Sequence, residues 1–215
     1  MASVPSCPLC SSRQSTRYPR SRVRVFWRCL HCSLVFVDRH DYPDRETEKA
    51  RYDQHCNSSM DSGYRKFLSA LAIPLLSKVD AGAHGLDFGC GPGPALPQML
   101  QEAGLFVDVF DFFYAPNLRI WEMRYDFITA SEVIEHLHNP AMEIERLFGH
   151  LVPGGWLGIM TTWVDRINSF ERSRYGRDPT HVCFYSESTF KWIASHWNTT
   201  VEFPGGNVVL FQTKV

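Results

Sequence analysis

The stretch HGLDFGCGPGPALPQML, from His84 to Leu100, sets Gly89, Gly91 and Gly93 in alternation after a short apolar run and before a helical pattern. Strand, glycine turn and helix start, in that order, leave few folds open. Glycine is costly in backbone entropy, so such a turn implies a place where side chains would crowd something. A helix N-terminus behind a glycine turn lets the backbone approach a ligand, as in nucleotide-binding α/β sheets. The pattern is not the dinucleotide fingerprint, because the sixth position from Gly89 is Pro94, and no Lys-Ser/Thr follows to make a Walker loop. Asp87, two residues before Gly89, would sit badly against a pyrophosphate. It suits a ligand carrying a positive amino group.

The chain around this turn alternates strand and helix. Gly85–Gly89, Phe106–Phe112, Tyr125–Ser131 and Gly155–Thr162 read as strands covered on both faces. Asn139-Pro140 reads as a helix start, with Asn as the cap and Pro at the first helical position. Ile144, Leu147, Phe148 and Leu151 keep helical spacing, and VPGG is expected to stop the run. The expected fold is a doubly wound, mostly parallel α/β sheet. The final TTVEFPGGNVVLFQTKV reads as a hairpin turning at Pro204-Gly205-Gly206-Asn207, so at least one terminal strand runs antiparallel.

Two C-x-x-C units, Cys7/Cys10 and Cys29/Cys32, precede this region with 18 residues between them. That spacing is typical of a structural zinc site with four thiolates and no open position. His31 could replace a thiolate, but four Cys is the simpler set. Cys56, Cys90 and Cys183 are assigned no chemistry. The expected organisation is a zinc-binding ribbon-like module at 1–40, a helical linker or cap at 41–82, and a cofactor-binding domain at 83–215.

A net charge of -1 over 215 residues argues against general nucleic-acid binding. The opening is nonetheless basic, with Arg13, Arg17, Arg20, Arg22, Arg24 and Arg28 before the first acid, Asp38. No apolar run approaches a membrane span, the N-terminus lacks a secretory core, and the cysteine grouping suits a reducing compartment. A cytoplasmic protein with no membrane contact is expected; its oligomeric state is not legible.

Asp111 falls 22 residues past Gly89, where doubly wound folds set an acid on ribose hydroxyls. A ligand with an amino-acid end and a ribose but no phosphates is S-adenosylmethionine. With GLDFGCGPG, VDVFDFFYAPN, YDFITASEVIEHLHNP, LVPGGWLGIMTTW and HVCFYSESTFKWIA in order, the sequence resembles the class I S-adenosylmethionine-dependent methyltransferases, in the broad branch that includes ubiquinone-pathway O-methylases. The resemblance implies that Asp87 orients the methionine amino group and that Gly89, Gly91 and Gly93 line its cradle. It also implies Asp111 on the ribose, Phe112 beside the adenine, and Ser131, Glu132 and Val133 flanking the methionine. Some such enzymes carry a C-x-x-C module ahead of the catalytic domain. One departure stands out: only 14 positions separate Asp111 from Tyr125, too few for a full crossover, so the third strand is expected to be reduced or lost.

Methyl transfer needs alignment and, for a protonated acceptor, a base. Two segments offer candidates, Glu132, Glu135, His136 and His138 in one, Asp178, His181 and Tyr185 in the other. His181, in a long polar loop after the fourth strand, is the first choice, its alternative being a loop anchor; His136 is the second, and His138 should face solvent. Trp163, Phe170, Tyr175 and Phe184 are either core or an acceptor pocket, and Tyr52 and Tyr64 are candidates to close the cofactor site. The leading expectation is a methyltransferase for a small-molecule acceptor with a structural zinc. The alternatives are an RNA-modifying enzyme docking RNA through the zinc module, and a non-catalytic cofactor-binding partner protein.

Overall fold

The computed structural model describes residues 4–18, 24–54 and 58–215. Arg20, Arg22 and Cys56 lie outside the described residues. The N-terminal segment forms β1 (Ser15–Arg17), β2 (Phe26–Cys29) and β3 (Val35–Val37), an antiparallel meander. Each C-x-x-C unit ends in a tight turn, after which Ser11 and Ser33 enter the left-handed region at φ 60° and 62°.

Two helices follow. In α1 (Arg45–Tyr52) the Asp44 carboxylate accepts from Thr47 N, and in α2 (Ser62–Leu76) Asp61 accepts from Gly63 N and Tyr64 N, each satisfying orphan first-turn donors. Leu68, Leu71, Ala72 and Leu75 share one face of α2 by helical spacing and are buried.

The second sheet is built from β4 (His84–Phe88), α3 (Ala95–Glu102), β5 (Phe106–Phe110), β6 (Tyr125–Ser131), α4 (Pro140–Gly149) and β7 (Leu151–Met160). Then come α5 (Arg174–Arg177), β8 (Cys183–Phe184), α6 (Glu187–His196), β9 (Thr200–Gly205) and β10 (Val208–Gln212). The strand order is β5-β4-β6-β7-β10-β9. The first four strands are mutually parallel, and β10 is antiparallel to both its neighbours. This is the mostly parallel, doubly wound sheet with a terminal hairpin that the alternation implies. Leu86, Phe127, Ile128, Leu157, Ile159 and Leu210 are fully buried in it, which accounts for the continuous apolar runs.

Several local expectations shift. VPGG does not merely stop α4; Val152 to Gly155 already belong to β7, with a bulge opposite Tyr125 and Phe127. Asn139 does not cap α4 with its side chain; its Oδ1 accepts instead from Arg39 Nη2 at 3.0 Å. No strand forms between β5 and β6. That connection holds an isolated bridge from Asp111 to Ala115 and a 3-10 turn at Leu118–Glu122, so β5 is a sheet edge.

The two sheets share a core. β8 leaves the C-terminal half of the chain and pairs with β3, Val35 opposite Phe184 and Phe36 opposite Cys183. The Phe26 ring meets Phe170 and Phe184 edge-on at 5.1 and 5.6 Å. Arg24 reaches three carbonyls of the facing loop, donating from Nη1 to Asp178 O and His181 O and from Nη2 to Pro179 O. Arg17 lies over the Trp27 ring and Arg28 over Tyr18. Three arginines of the basic opening therefore have intramolecular contacts.

Candidate active site

The carboxyl ends of β4, β5 and β6 bring together the residues expected at the cofactor. Gly89 has φ +79°, and a Cβ there would lie 2.4 Å from Val133 Cγ2. The crowding partner at Gly89 is thus protein. Gly91, at φ +63°, differs: a Cβ would meet nothing within 4 Å. That open space is where a ligand can lie against backbone. Gly93 forms the last step before α3, its carbonyl accepting from Ala95 N.

Asp87 is 4% exposed and accepts from Thr129 Oγ1 at 2.6 Å. Burial pushes its carboxyl up to about 7, against the Thr129 hydrogen bond and with the Asp111 charge adding to the rise. A cationic group beside it would reverse that penalty. Asp111 binds the turn itself: Oδ2 accepts from Gly91 N at 3.0 Å, and Oδ1 from Phe113 N and Tyr114 N at 2.8 and 3.0 Å. Phe112 is 59% exposed under the Arg45 guanidinium, 4.6 Å from the ring centroid. That exposed face is free of the core, and α1 approaches it.

At the end of β6, Ser131 is half-buried and Glu132 takes a left-handed φ of 53°. Left-handed backbone is strained for a residue with a side chain. It sends Glu132 inward, where Oε1 is buried without a partner and burial raises the carboxyl to about 7. Tyr64 stands close enough for Asp87 and Glu132 to raise its phenol further, after burial. Thr129 is missed by motif reading, although it faces Asp87 directly across the β4–β6 ladder; strand register is the signal that finds it.

One step beyond, Glu135, His136 and His181 converge, each offering a ligand atom within 4.8 Å of the others. Glu135 is fully buried; its Oε2 accepts from Thr161 Oγ1 at 2.9 Å, and its Oε1 has no partner. Burial, then the Glu132 charge, holds its carboxyl well above the usual range. His136 Nδ1 lies 3.2 Å from Thr180 O, and His181 Nδ1 lies 2.8 Å from Tyr175 O. Burial lowers His181 to about 4, so it is neutral at physiological pH and a weak base. Tyr52 closes over this end, its ring edge-on to His136 at 5.2 Å. Asp178 is tied to Arg51 and Thr180, which hold its carboxyl well below the usual range despite burial.

Other candidates fall into the core. Trp163, Phe170, Phe184 and Tyr185 are buried; of the aromatic set, Tyr175 borders the cluster most closely, its ring 4.4 Å from His181, with Phe184 behind at 6.4 Å. His138 is partly exposed, its side chain 35% accessible, and its ring packs 4.6 Å from that of Tyr42, beside Glu48. A hollow lined by Lys78, Asp80, Asp126 and Gly154 opens at the opposite, amino end of the strands, away from the catalytic end of such sheets.

In the N-terminal module the sulfurs of Cys7, Cys10, Cys29 and Cys32 all lie within 4.8 Å of one another. Cys7–Cys32 and Cys10–Cys29 are 3.5 Å apart, near the ~3.8 Å edge of a tetrahedron with ~2.3 Å metal–sulfur bonds. The Cys32 hydrogen bond draws Cys7 down to about 6, while burial and the Cys7 charge push Cys10 up to about 12. Four sulfurs this close suit one cation at their centre. His31 instead turns its ring toward Trp192, 5.8 Å away.

A doubly wound sheet with an acid–glycine–acid set at the first βα turn defines the S-adenosylmethionine-dependent methyltransferase class. The model of the methyltransferase-domain family matches residues 57–202, and the chain belongs to that family. No curated protein matches it by sequence. Its fold is similar to that of 1,6-didemethyltoxoflavin-N1-methyltransferase from Burkholderia thailandensis, solved with 1,6-didemethyltoxoflavin and S-adenosylhomocysteine. The TM-score is 0.55 and the identity 14%, covering 93% of this chain and 99% of that one. An O-methyltransferase family protein from the same organism gives a TM-score of 0.51 at 17% identity over 82% of this chain. The match covers 65% of that protein's length. Among the described residues no helix is long and apolar enough to cross a membrane.

Proposed function

We propose that this methyltransferase acts on a small-molecule acceptor and carries one structural zinc on Cys7, Cys10, Cys29 and Cys32. The observation that carries the cofactor assignment is the open face of Gly91 between the buried Asp87 and the turn-binding Asp111. S-adenosylmethionine supplies an activated methyl group. Asp87 and the partnerless oxygen of Glu132 would face its amino-acid end, with Gly89, Gly91, Gly93, Ser131 and Val133 shaping that end. The remaining lone pairs of Asp111 would meet the ribose, and Phe112 the adenine. His181 and His136 stand at the acceptor end and activate the acceptor.

Two features support a small acceptor. Tyr52, Tyr175 and the two histidines crowd the acceptor end. The arginine-rich opening is partly occupied, with Arg24 holding loop carbonyls rather than presenting a free cation to RNA. This reading keeps the division into a ribbon at 1–40, capping helices at 41–82 and a catalytic sheet at 83–215. The test is transfer of isotopically labelled methyl from S-adenosylmethionine to a metabolite pool and, in parallel, to total RNA. Label entering the metabolite fraction supports this reading; label entering RNA alone overturns it.

A further inference from the structure

We infer that Glu135, His136 and His181 form a binding site for one divalent first-row transition-metal cation, distinct from the four-cysteine site. The three come from two separate segments. Glu135 and His136 lie in the 3-10 turn after β6, and His181 lies just ahead of β8. The backbone joins those segments through Val182 N, which donates to Glu135 O at 2.8 Å. Their ligand atoms fall within 4.8 Å of one another, a separation one ion can span at bond lengths of ~2.0–2.2 Å.

The surroundings suit a cation. A backbone carbonyl can only accept, so Nδ1 of each ring is the N–H that donates to Thr180 O or Tyr175 O. That fixes the tautomer and puts the lone pair on Nε2, the usual outer-shell arrangement of metal-bound histidine. Glu135 is likewise held from behind, with Thr161 Oγ1 on Oε2 and Tyr175 Oη on Thr161 Oγ1. Its Oε1 is fully buried and has no partner. Buried polar atoms without partners are rare in folded proteins, and a cation is the partner this one fits. Two imidazoles and one carboxylate favour transition metals over magnesium or calcium. Three protein ligands leave positions open, so an acceptor oxygen or nitrogen can enter.

This inference deepens the proposed acceptor end. A hydroxyl bound to the cation loses its proton to solvent more readily. Its oxygen then forms a bond to the methyl carbon as the carbon–sulfur bond breaks, the electron pair staying on sulfur to leave a neutral thioether. His136 and His181 are then ligands rather than proton acceptors.

The test uses full-length protein with its zinc retained, titrated with Mn2+ and followed by loss of the free-ion paramagnetic resonance signal. Mn2+ does not compete for thiolates, so the cysteine site does not interfere. One Mn2+ per chain is expected, weakened at least tenfold in Glu135→Gln and His181→Asn and unchanged in His196→Asn, an exposed position on α6. Without any variant, substoichiometric Mn2+ should broaden the imidazole resonances of His136 and His181 before that of His196. Wild-type protein that binds S-adenosylhomocysteine yet takes up no Mn2+, or binds it undiminished in both variants, overturns the cation site while leaving the methyltransferase reading intact. Failure to bind S-adenosylhomocysteine would strike the cofactor assignment instead.

Discussion

If Asp87 holds the ammonium group of the cofactor, as proposed, cofactor affinity depends on pH. The Asp87 carboxyl is lifted to about 7 by burial, accepts a hydrogen bond from Thr129, and is faced by Asp111, Tyr64 and Cys90 but, among the described residues, by no cation. If the ligand's ammonium group binds ionised Asp87, binding must first expel the proton whenever pH lies below that value. With a free-state value near 7, the protonated fraction weakens apparent affinity roughly tenfold at pH 6 relative to pH 7.5. The upper limit is set there because α-amino groups themselves titrate at about 8. The assay is calorimetric titration with S-adenosylhomocysteine at both pH values, in two buffers of different ionisation enthalpy. The buffer difference should report release of up to about one proton at pH 6. Asp87→Asn should bind weakly and without that slope. The stability consequence has a definite sign. The folded value is above the unfolded one near 4, so stability from this group is full below about pH 4. It is lost as pH rises through about 7 in the cofactor-free protein. Equal wild-type affinity at pH 6 and 7.5, with no proton release, would refute the pairing of Asp87 with a cationic ligand group.

Asp111→Ala removes the acceptor of three backbone N–H groups. It should lower stability by about 1–3 kcal/mol and cofactor affinity roughly ten- to hundredfold, read by thermal melting and calorimetry. Gly89→Ala forces a methyl into Val133 and should cost about 1–3 kcal/mol. Adding Val133→Ala should recover the clash but not the left-handed backbone cost, so a double variant no more stable than the single one would count against this packing. Elemental analysis should find zinc at the four-cysteine site, and Cys29→Ser should lose it. Hydrogen exchange should then rise in β1 to β3 before it rises in β4 to β7.

The strand–glycine–helix order and the terminal hairpin were legible because each rests on local chemistry: apolar runs, turn residues, a proline at a helix start. The missing third strand was also legible, since chain length between Asp111 and Tyr125 limits what can be built. What local pattern cannot carry is pairing between distant segments. Nothing around Arg24 announces three carbonyls near residue 180, and nothing in Cys183-Phe184 announces a strand partner in the N-terminal module. The inward turn of Glu132 depends on an unusual backbone angle that no residue preference signals. Asn139 looked like a cap because Asn often is one, but Arg39 claims its side chain from another element.

The pairing of β3 with β8 joins residues about 150 positions apart. On a chain made from its N-terminus, the cysteine module emerges before the second sheet, yet its own sheet waits for β8, beyond β4 to β7, before its last strand exists. A pairing so distant in sequence is slow to form because loop closure must be completed first. Until then β3 presents an open edge, the kind of surface that recruits strangers. The order of synthesis and the order of assembly therefore run in opposite directions at this joint. A fragment ending at residue 40 would keep the thiols but lack the strand that covers that edge.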